Sequence, residues 1–600
     1  MCRGFGAPHD YGWRIWWKGK MLEMFVMVPT TYLYIELLFP LQILPSLQIL
    51  PSLQLPSVQL LHETHYPSTP TDSIMQSPSP PSDKEAVLYY WGLPSCPRLI
   101  ARSSKHVWTD PCRSDGGPST CPPSLMRKSL RPAAGDPLLH RLWNDATSSL
   151  RIQIVEAVSA ADWTAVDILR VGRVGGFRTT LLVSVKPESL SWSRAHPITL
   201  RCKGILEEHG IDNVHCEIRE SVVTSCGNSL SRGKSAAAAA DVQSEFQLSS
   251  ASSTNLRADR VDLSDCLGTR ISMKDDDTRF GTKGIYLSLK PSNAQDEPKI
   301  VALTCQHVVR NHESESSKTR RQDSRTRREV IQIDQPEYDS RLERYGDAAR
   351  YKRVEDAECL LREMKPYAAS PSRRFGTLLY SPALRYSRAL REAPGYDPWL
   401  RDWALIELLP SRHQAPLGTL TNNVFVGPAN RLQSIVHNSM TGWRGLWKMR
   451  VPVARKGTLP LAKTAVPMSE LYKLAHDADD NEPTMLVAQS GAGGKLTVGI
   501  GNALKSLVRR DGALDGGVEG YSEEWAITSL TGIHEFQTAF SFRGDSGSCV
   551  WDIQTGRPAA IIMAGVHCPM PNGNNDVTYA QPLERLIGDV RDHGFDVSLV

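Results

Sequence analysis

From residue 281 to residue 582 the chain repeats one pattern, a short apolar run closed by Gly, Pro or charge. The runs are GTKGIYLSL, IVALTCQHVV, FGTLLYSP, DWALIEL, TMLVAQS, KLTVGIG, EEWAITSL, SCVWDI, AAIIMAGVH and DVTYAQP. Each is too short for a buried helix, and several are rich in β-branched residues, so each reads as a strand. A long succession of such strands specifies an all-β sandwich or barrel over residues 262–600. One stretch breaks the pattern, a charged insertion at 311–372 that carries SSKTRRQDSRTRREV and then a helical YGDAARYKRVEDAECLLREMK.

The rest of the chain reads differently. Residues 1–135 are expected to be low-complexity and mostly disordered, because LQILPSLQILPSLQLPSVQLL and PSTPTDSIMQSPSPPSDKE place proline where helices and ladders need donors. The apolar segment MFVMVPTTYLYIELLFPLQIL follows Arg14, Lys18 and Lys20, but Pro29, Glu36 and Pro40 interrupt it, so membrane insertion is disfavoured. Residues 140–225 read as a small β-α-β domain: TTLLVSVKP, then a helix with Ile198, Cys202, Ile205 and Leu206 on one face and Gly210 at its end, then NVHCEIRES. It has no glycine-rich phosphate loop, and a structural role or a protein partner is its expected use. The Ser/Ala-rich stretch 226–261 reads as a linker.

Composition excludes more than it proposes. With 69 basic and 65 acidic residues the formal charge is +4, which gives no case for nucleic acid or an anionic surface as partner. RRQDSRTRR reads as a solvated loop. The twelve cysteines form no CxxC pair, so neither a metal site nor a cofactor is expected. A reducing, cytoplasmic location is favoured over a secreted or membrane-anchored one, although Cys305, Cys549 and Cys568 lie near the candidate site and an exported chain could pair them.

Three residues in the β region carry chemistry. Ser546 sits in Gly-Asp-Ser-Gly, where flanking glycines leave the backbone free to turn its N–H groups toward one point. His307 ends the run ALTCQH, and a histidine can accept and return a proton near neutral pH. Asp402 opens DWALIEL and would fix the imidazole tautomer. Asp397 and Asp347 are its competitors for that role.

These motifs, in the order His, Asp, Ser, resemble the chymotrypsin/trypsin-like serine peptidases over roughly residues 262–600, in an intracellular, fungal-type variant. The resemblance implies a double β-barrel with His307 and Asp402 from the first barrel and Ser546 from the second. It implies a serine endopeptidase acting on a protein or peptide substrate through an acyl-enzyme, with Gly544 and Ser546 as oxyanion-hole donors. It places the primary pocket at Phe540 or Ser541, with Ala564 and Gly565 on its wall, and no acid there, so an uncharged or small apolar side chain is preferred. Thr304, Cys305 and Gln306 before the histidine, Val308 after it and Ser548 in GDSGS depart from the secreted digestive members. No processing site precedes GTKGIYLSL, so Asp545 lacks the new amino terminus it would pair with there. The alternative is an inactive trypsin-like domain that binds an extended peptide by strand addition.

Overall fold

The computed structural model describes residues 13–18, 21–28 and 31–37 and most of 79–600; the longest stretches outside it are 38–78, 112–125, 227–262, 311–327, 387–397, 440–450, 475–484 and 511–519. Two units are distinguished, Met1–Asp72 and Ser73–Val600. In the first, β1 (Trp13–Lys18), β2 (Met21–Val28) and β3 (Thr31–Leu37) form an antiparallel meander. The apolar segment noted above thus contributes strands. No helix among the described residues is long and apolar enough to cross a membrane.

The second unit begins with α1 (Asp83–Leu88), β4 (Arg98–Arg102), β5 (Ser129–Pro132), α2 (Pro137–Asn144), α3 (Ser149–Val158), β6 (Trp163–Arg173), β7 (Gly176–Val185), α4 (Trp192–Glu208), β8 (His215–Glu220) and β9 (Val222–Ser225). Strands β7 and β8 run parallel across α4, with Thr180 opposite His215. The expectation of disorder through residue 135 reached too far. Helix α1 is capped by Ser82, β4 pairs with β8, and β5 pairs with β6.

Next come β10 (Arg270–Met273), β11 (Asp276–Thr282), β12 (Ile285–Leu289), β13 (Lys299–Thr304), β14 (Glu329–Gln332), β15 (Arg374–Tyr380) and β16 (Ala404–Leu408). With the terminal strand Val597–Leu599 they make an eight-stranded antiparallel sheet in the order β11-β10-β14-β15-β16-β13-β12-terminal strand. Strand β14 corrects the insertion at 311–372, because Glu329–Gln332 is a ladder member between β10 and β15. The inserted element proper is the helix pair Gln335–Lys352 and Glu355–Met364, with its own apolar cluster of Ile333, Tyr338, Tyr345, Leu360 and Met364. A short pair, β17 (Asn423–Phe425) and β18 (Thr458–Pro460), follows.

Then β19 (Met485–Gly491), β20 (Lys495–Val508), β21 (Ser522–Ser529), β22 (Cys549–Asp552), β23 (Pro558–His567) and β24 (Val577–Pro582) close into a six-stranded barrel in the circuit β19-β22-β23-β24-β21-β20-β19. Val487, Trp525, Ile527, Phe540, Val550 and Ile562 fill it. Two glycines of β20 make the room. A Cβ on Gly499 would stand 2.6 Å from the Phe540 ring, and one on Gly501 would overlap Trp525. The molecule is thus mostly β, with one closed barrel, further sheets and helices.

Strand β20 outruns the barrel. Its end pairs with β6, Leu507 opposite Val166 and Val508 opposite Ala165, and the sheet continues through β7 and β8 to β4. The segment 140–225 is therefore not a separate domain. Leu504 and Leu507 belong to the core under α2, α3 and α4, while Val508, Ala526 and Tyr579 pack with Leu169 and Leu182. At about 2 kcal/mol per large buried side chain this shared wall supplies on the order of 10 kcal/mol, comparable with the net stability of a domain. Buried polar links cross it too: Arg151 and Lys505 pair with Glu523, Tyr579 and Ser506 donate to Asp167, and Arg219 pairs with Asp576.

Candidate active site

The three candidate residues, remote in sequence, meet at one point. Strand β13 runs into the helical turn Gln306–Val309 and delivers His307; Asp402 immediately precedes Trp403 and β16; Ser546 stands between Gly544 and Gly547 before β22. His307 Nδ1 lies 2.7 Å from Asp402 Oδ2, and His307 Nε2 lies 2.8 Å from Ser546 Oγ. The His307 backbone N–H donates to Asp402 Oδ1 at 3.0 Å, so the carboxylate grips ring and main chain together. All three are buried, with relative exposures of 3%, 2% and 0%.

Burial alone would raise the Asp402 carboxyl, but the neighbouring His307 and Arg510 and two hydrogen bonds outweigh it and hold the group below the usual carboxylate range. An ionised carboxylate only accepts, so Nδ1 carries the ring proton and Nε2 is left to accept from Ser546. That is the arrangement a hydroxyl nucleophile needs. The hydroxyl also lies 2.9 Å from the Met563 carbonyl, and its one proton serves either acceptor. Asp347 is exposed on the inserted helix Gln335–Lys352, and Asp397 lies outside the described residues.

The turn is built from both sheets. Gly544 and Gly547 have φ of +96° and +94°, conformations that side chains with a Cβ rarely adopt. Thr282 of β11 donates its N–H to the Ser546 carbonyl at 2.8 Å and its hydroxyl to the Gly544 carbonyl at 2.7 Å. Asp545 points away from the nucleophile, accepting from Gln489 Nε2 and from the backbone N–H groups of Ala492 and Phe542. Burial pushes its carboxyl up to about 6 against these donors. Main-chain and amide donors thus hold this acid where the resemblance would place an amino terminus.

Arg510 was invisible in the sequence, since it follows a strand in text that reads as surface. Its Nη2 lies 2.7 Å from Asp402 Oδ2, the oxygen that also faces His307. The guanidinium competes with an imidazolium for one carboxylate. Arg510→Gln therefore takes a charged donor from a buried carboxylate and is expected to destabilise the protein by about 2 kcal/mol. Urea denaturation measures it; an unchanged midpoint would show that Arg510 does not support Asp402.

Cys305, His307 and Asp402 also cluster as potential metal donors. Both nitrogens of His307 are already engaged, and Cys305 Sγ faces the Ile562 carbonyl at 3.2 Å with burial raising its thiol far above the normal range. The described donors do not fit a metal without breaking the Ser546 or Asp402 contact. All nine described cysteines are unpaired, Cys305, Cys549 and Cys568 among them.

The residues expected around a primary pocket are buried. Ser541 is hydrogen-bonded to Thr578 at 2.6 Å and to Asn575 Nδ2 at 3.0 Å. Phe540 instead turns its ring into the barrel against Gly499. Ala564 and Gly565, expected as the pocket wall, lie in β23, and their edge is taken by β9: Ala564 pairs with Ser225 and Gly565 with Thr224. Cys226, read as the first linker residue, is buried here. It donates its N–H to the Met563 carbonyl at 3.4 Å, its carbonyl accepts from the Gly544 N–H, and Asn575 Nδ2 lies 3.4 Å from its sulfur. Of the two candidate oxyanion donors, Gly544 already holds a carbonyl oxygen, that of Cys226. No protein-family model matches this chain, and no curated protein gives a significant match to it.

Proposed function

We propose that the chain is a serine endopeptidase built on two six-stranded barrels, with Ser546 as nucleophile, His307 as acid/base, Asp402 as the group that orients it, and the Gly544–Ser546 backbone as oxyanion site. The observation that carries this reading is the continuous contact from Asp402 through His307 to Ser546 at 2.7 and 2.8 Å. The second barrel is the closed circuit already described. Support for the first comes from β11 and β12, which Lys283 and Gly284 join into one bent strand. Strand β10 pairs with its first half and β13 with its second, and Lys283 and Gly268 hydrogen-bond across the bend. Followed through that strand, the sheet returns on itself as β10-β11/β12-β13-β16-β15-β14-β10, the same circuit as in the second barrel.

Attack by Ser546 Oγ on a carbonyl passes its proton to His307 Nε2, and Asp402 stabilises the imidazolium. The Gly544 N–H faces the developing oxyanion, a contribution of about 3 kcal/mol per donor. His307 then protonates the leaving amine, and water repeats the sequence on the ester. Ser541, Asn575 and Thr578 offer neutral hydrogen-bonding groups to the side chain preceding the cut, which fits a small uncharged residue.

The second reading, a peptide-binding module without chemistry, is favoured by one observation: a strand of the chain itself is added to β23. A fluorophosphonate probe separates the two. Thr224→Pro puts a residue without an N–H at an exposed position of the added strand and is expected to loosen it from β23. In that background Ser546 is expected to acquire the phosphonyl adduct, located by peptide mass spectrometry, and Ser546→Ala and His307→Ala are expected to abolish it. Absence of the adduct in the opened chain at every pH from 5 to 9 would sink the peptidase reading.

A further inference from the structure

We propose that Val222–Cys226 is the intramolecular substrate of Ser546 and that the chain cuts itself between Cys226 and Gly227, an inference that rests on the peptidase reading above. Three independent contacts present the Cys226 carbonyl as a scissile one. Its oxygen accepts from the Gly544 N–H, the donor that would stabilise an oxyanion. Its own N–H and the Ser546 hydroxyl converge on one acceptor, the Met563 carbonyl, at 3.4 and 2.9 Å, which places residue and nucleophile side by side. Strand β9 leads into it antiparallel to β23, with Val223 opposite Val566, Thr224 opposite Gly565 and Ser225 opposite Ala564.

The side chain fits as well. The Cys226 thiol reaches into the neutral pocket beside Ser541 and Asn575, and burial keeps it protonated, its titration pushed up to about 12. The delivery is rigid: the Ser221 N–H donates to the Val185 carbonyl and the Thr164 hydroxyl to the Ser221 carbonyl, both at 2.9 Å, so β9 leaves a strand already fixed in the large sheet. A group so held reacts as though its concentration were very high.

The step balances with water as the only co-reactant. Ser546 Oγ bonds to the Cys226 carbonyl carbon while His307 takes the hydroxyl proton. The bond from that carbon to the Gly227 nitrogen breaks as His307 returns the proton to the new amine. Water, deprotonated by His307, then splits the ester, leaving Cys226 as a carboxylate and restoring the Ser546 hydroxyl.

The test follows the intact mass of the purified full chain and the amino-terminal sequence of any fragment. Wild type is expected to yield one piece ending at Cys226 and one beginning at Gly227, at a rate unchanged over a 100-fold dilution. Ser546→Ala and His307→Ala are expected to remain single chains, and Cys226→Arg, which puts a long cation into the neutral pocket, to cut about 100-fold more slowly. A wild-type chain that stays whole, a cut elsewhere, cleavage that persists in Ser546→Ala, or a rate that falls with dilution would each overturn the proposal. Labelling of Ser546 in Thr224→Pro tells the two failures apart. With the adduct formed and wild type uncut, only the self-substrate assignment falls; with no adduct, the peptidase reading falls first.

Discussion

Asp402→Asn is expected to lower the rate of Ser546 phosphonylation about 10⁴-fold while the protein remains folded. The side chain is nearly isosteric, but an amide can present its N–H₂ to His307 Nδ1, which then must accept, and Nε2 becomes the protonated nitrogen facing Ser546. Nε2 would then donate to Ser546 Oγ across the 2.8 Å contact, the hydroxyl proton would turn to the Met563 carbonyl, and the nucleophile would have no base. Removing the carboxylate also leaves Arg510 without its close partner in a buried place, so a stability loss of about 2 kcal/mol should accompany the rate loss. Labelling kinetics in the Thr224→Pro background read the first effect and urea denaturation the second. A rate within tenfold of the parent would show that Asp402 neither sets the tautomer nor stabilises the imidazolium.

Gly547→Ala is expected to destabilise the protein by about 4 kcal/mol and to abolish labelling of Ser546. Its φ of +94° already disfavours a Cβ, and that Cβ would overlap the Thr282 carbonyl and the Thr304 hydroxyl, where β11 and β13 press on the turn. Gly556 supplies the control. Its φ is +69°, yet a Cβ there would meet only the Pro460 carbonyl at 3.9 Å, so Gly556→Ala should cost about 1 kcal/mol and leave labelling intact. Equal costs at the two glycines would mean that backbone conformation alone, and not the junction between the sheets, sets the price.

The strands that the sequence made legible are those with enough apolar, β-branched text to stand out, such as IVALTCQHVV and AAIIMAGVH. Those it hid are short and charged: RISM of β10, DDTRFGT of β11 and EVIQ of β14, the last embedded in arginines. Their pairing is decided by partners far along the chain, which local pattern does not encode. His307, Asp402 and Ser546 were readable because each is attached to such an apolar strand. Arg510, Asn575 and Cys226 were not, because each enters the site from a segment whose own text says surface, turn or linker, and Thr578 is a small polar residue inside a run that reads only as a strand. The joining of 140–225 to the barrel was hidden for a related reason. Nothing in KSLVRR announces that β20 goes on past its barrel neighbours to meet β6.

The pairing of β9 with β23 also sets an order in time. Cys226 leaves the ribosome 320 residues ahead of Ser546, a lag on the order of tens of seconds of synthesis. The segment along the cleft therefore waits for its partner, because β23, on which it docks, emerges after Ser546 as well. On the peptidase reading proposed above, the strand that completes the wall beside Ser546 is also the one that draws β9 against it, so the cleft would fill as it forms.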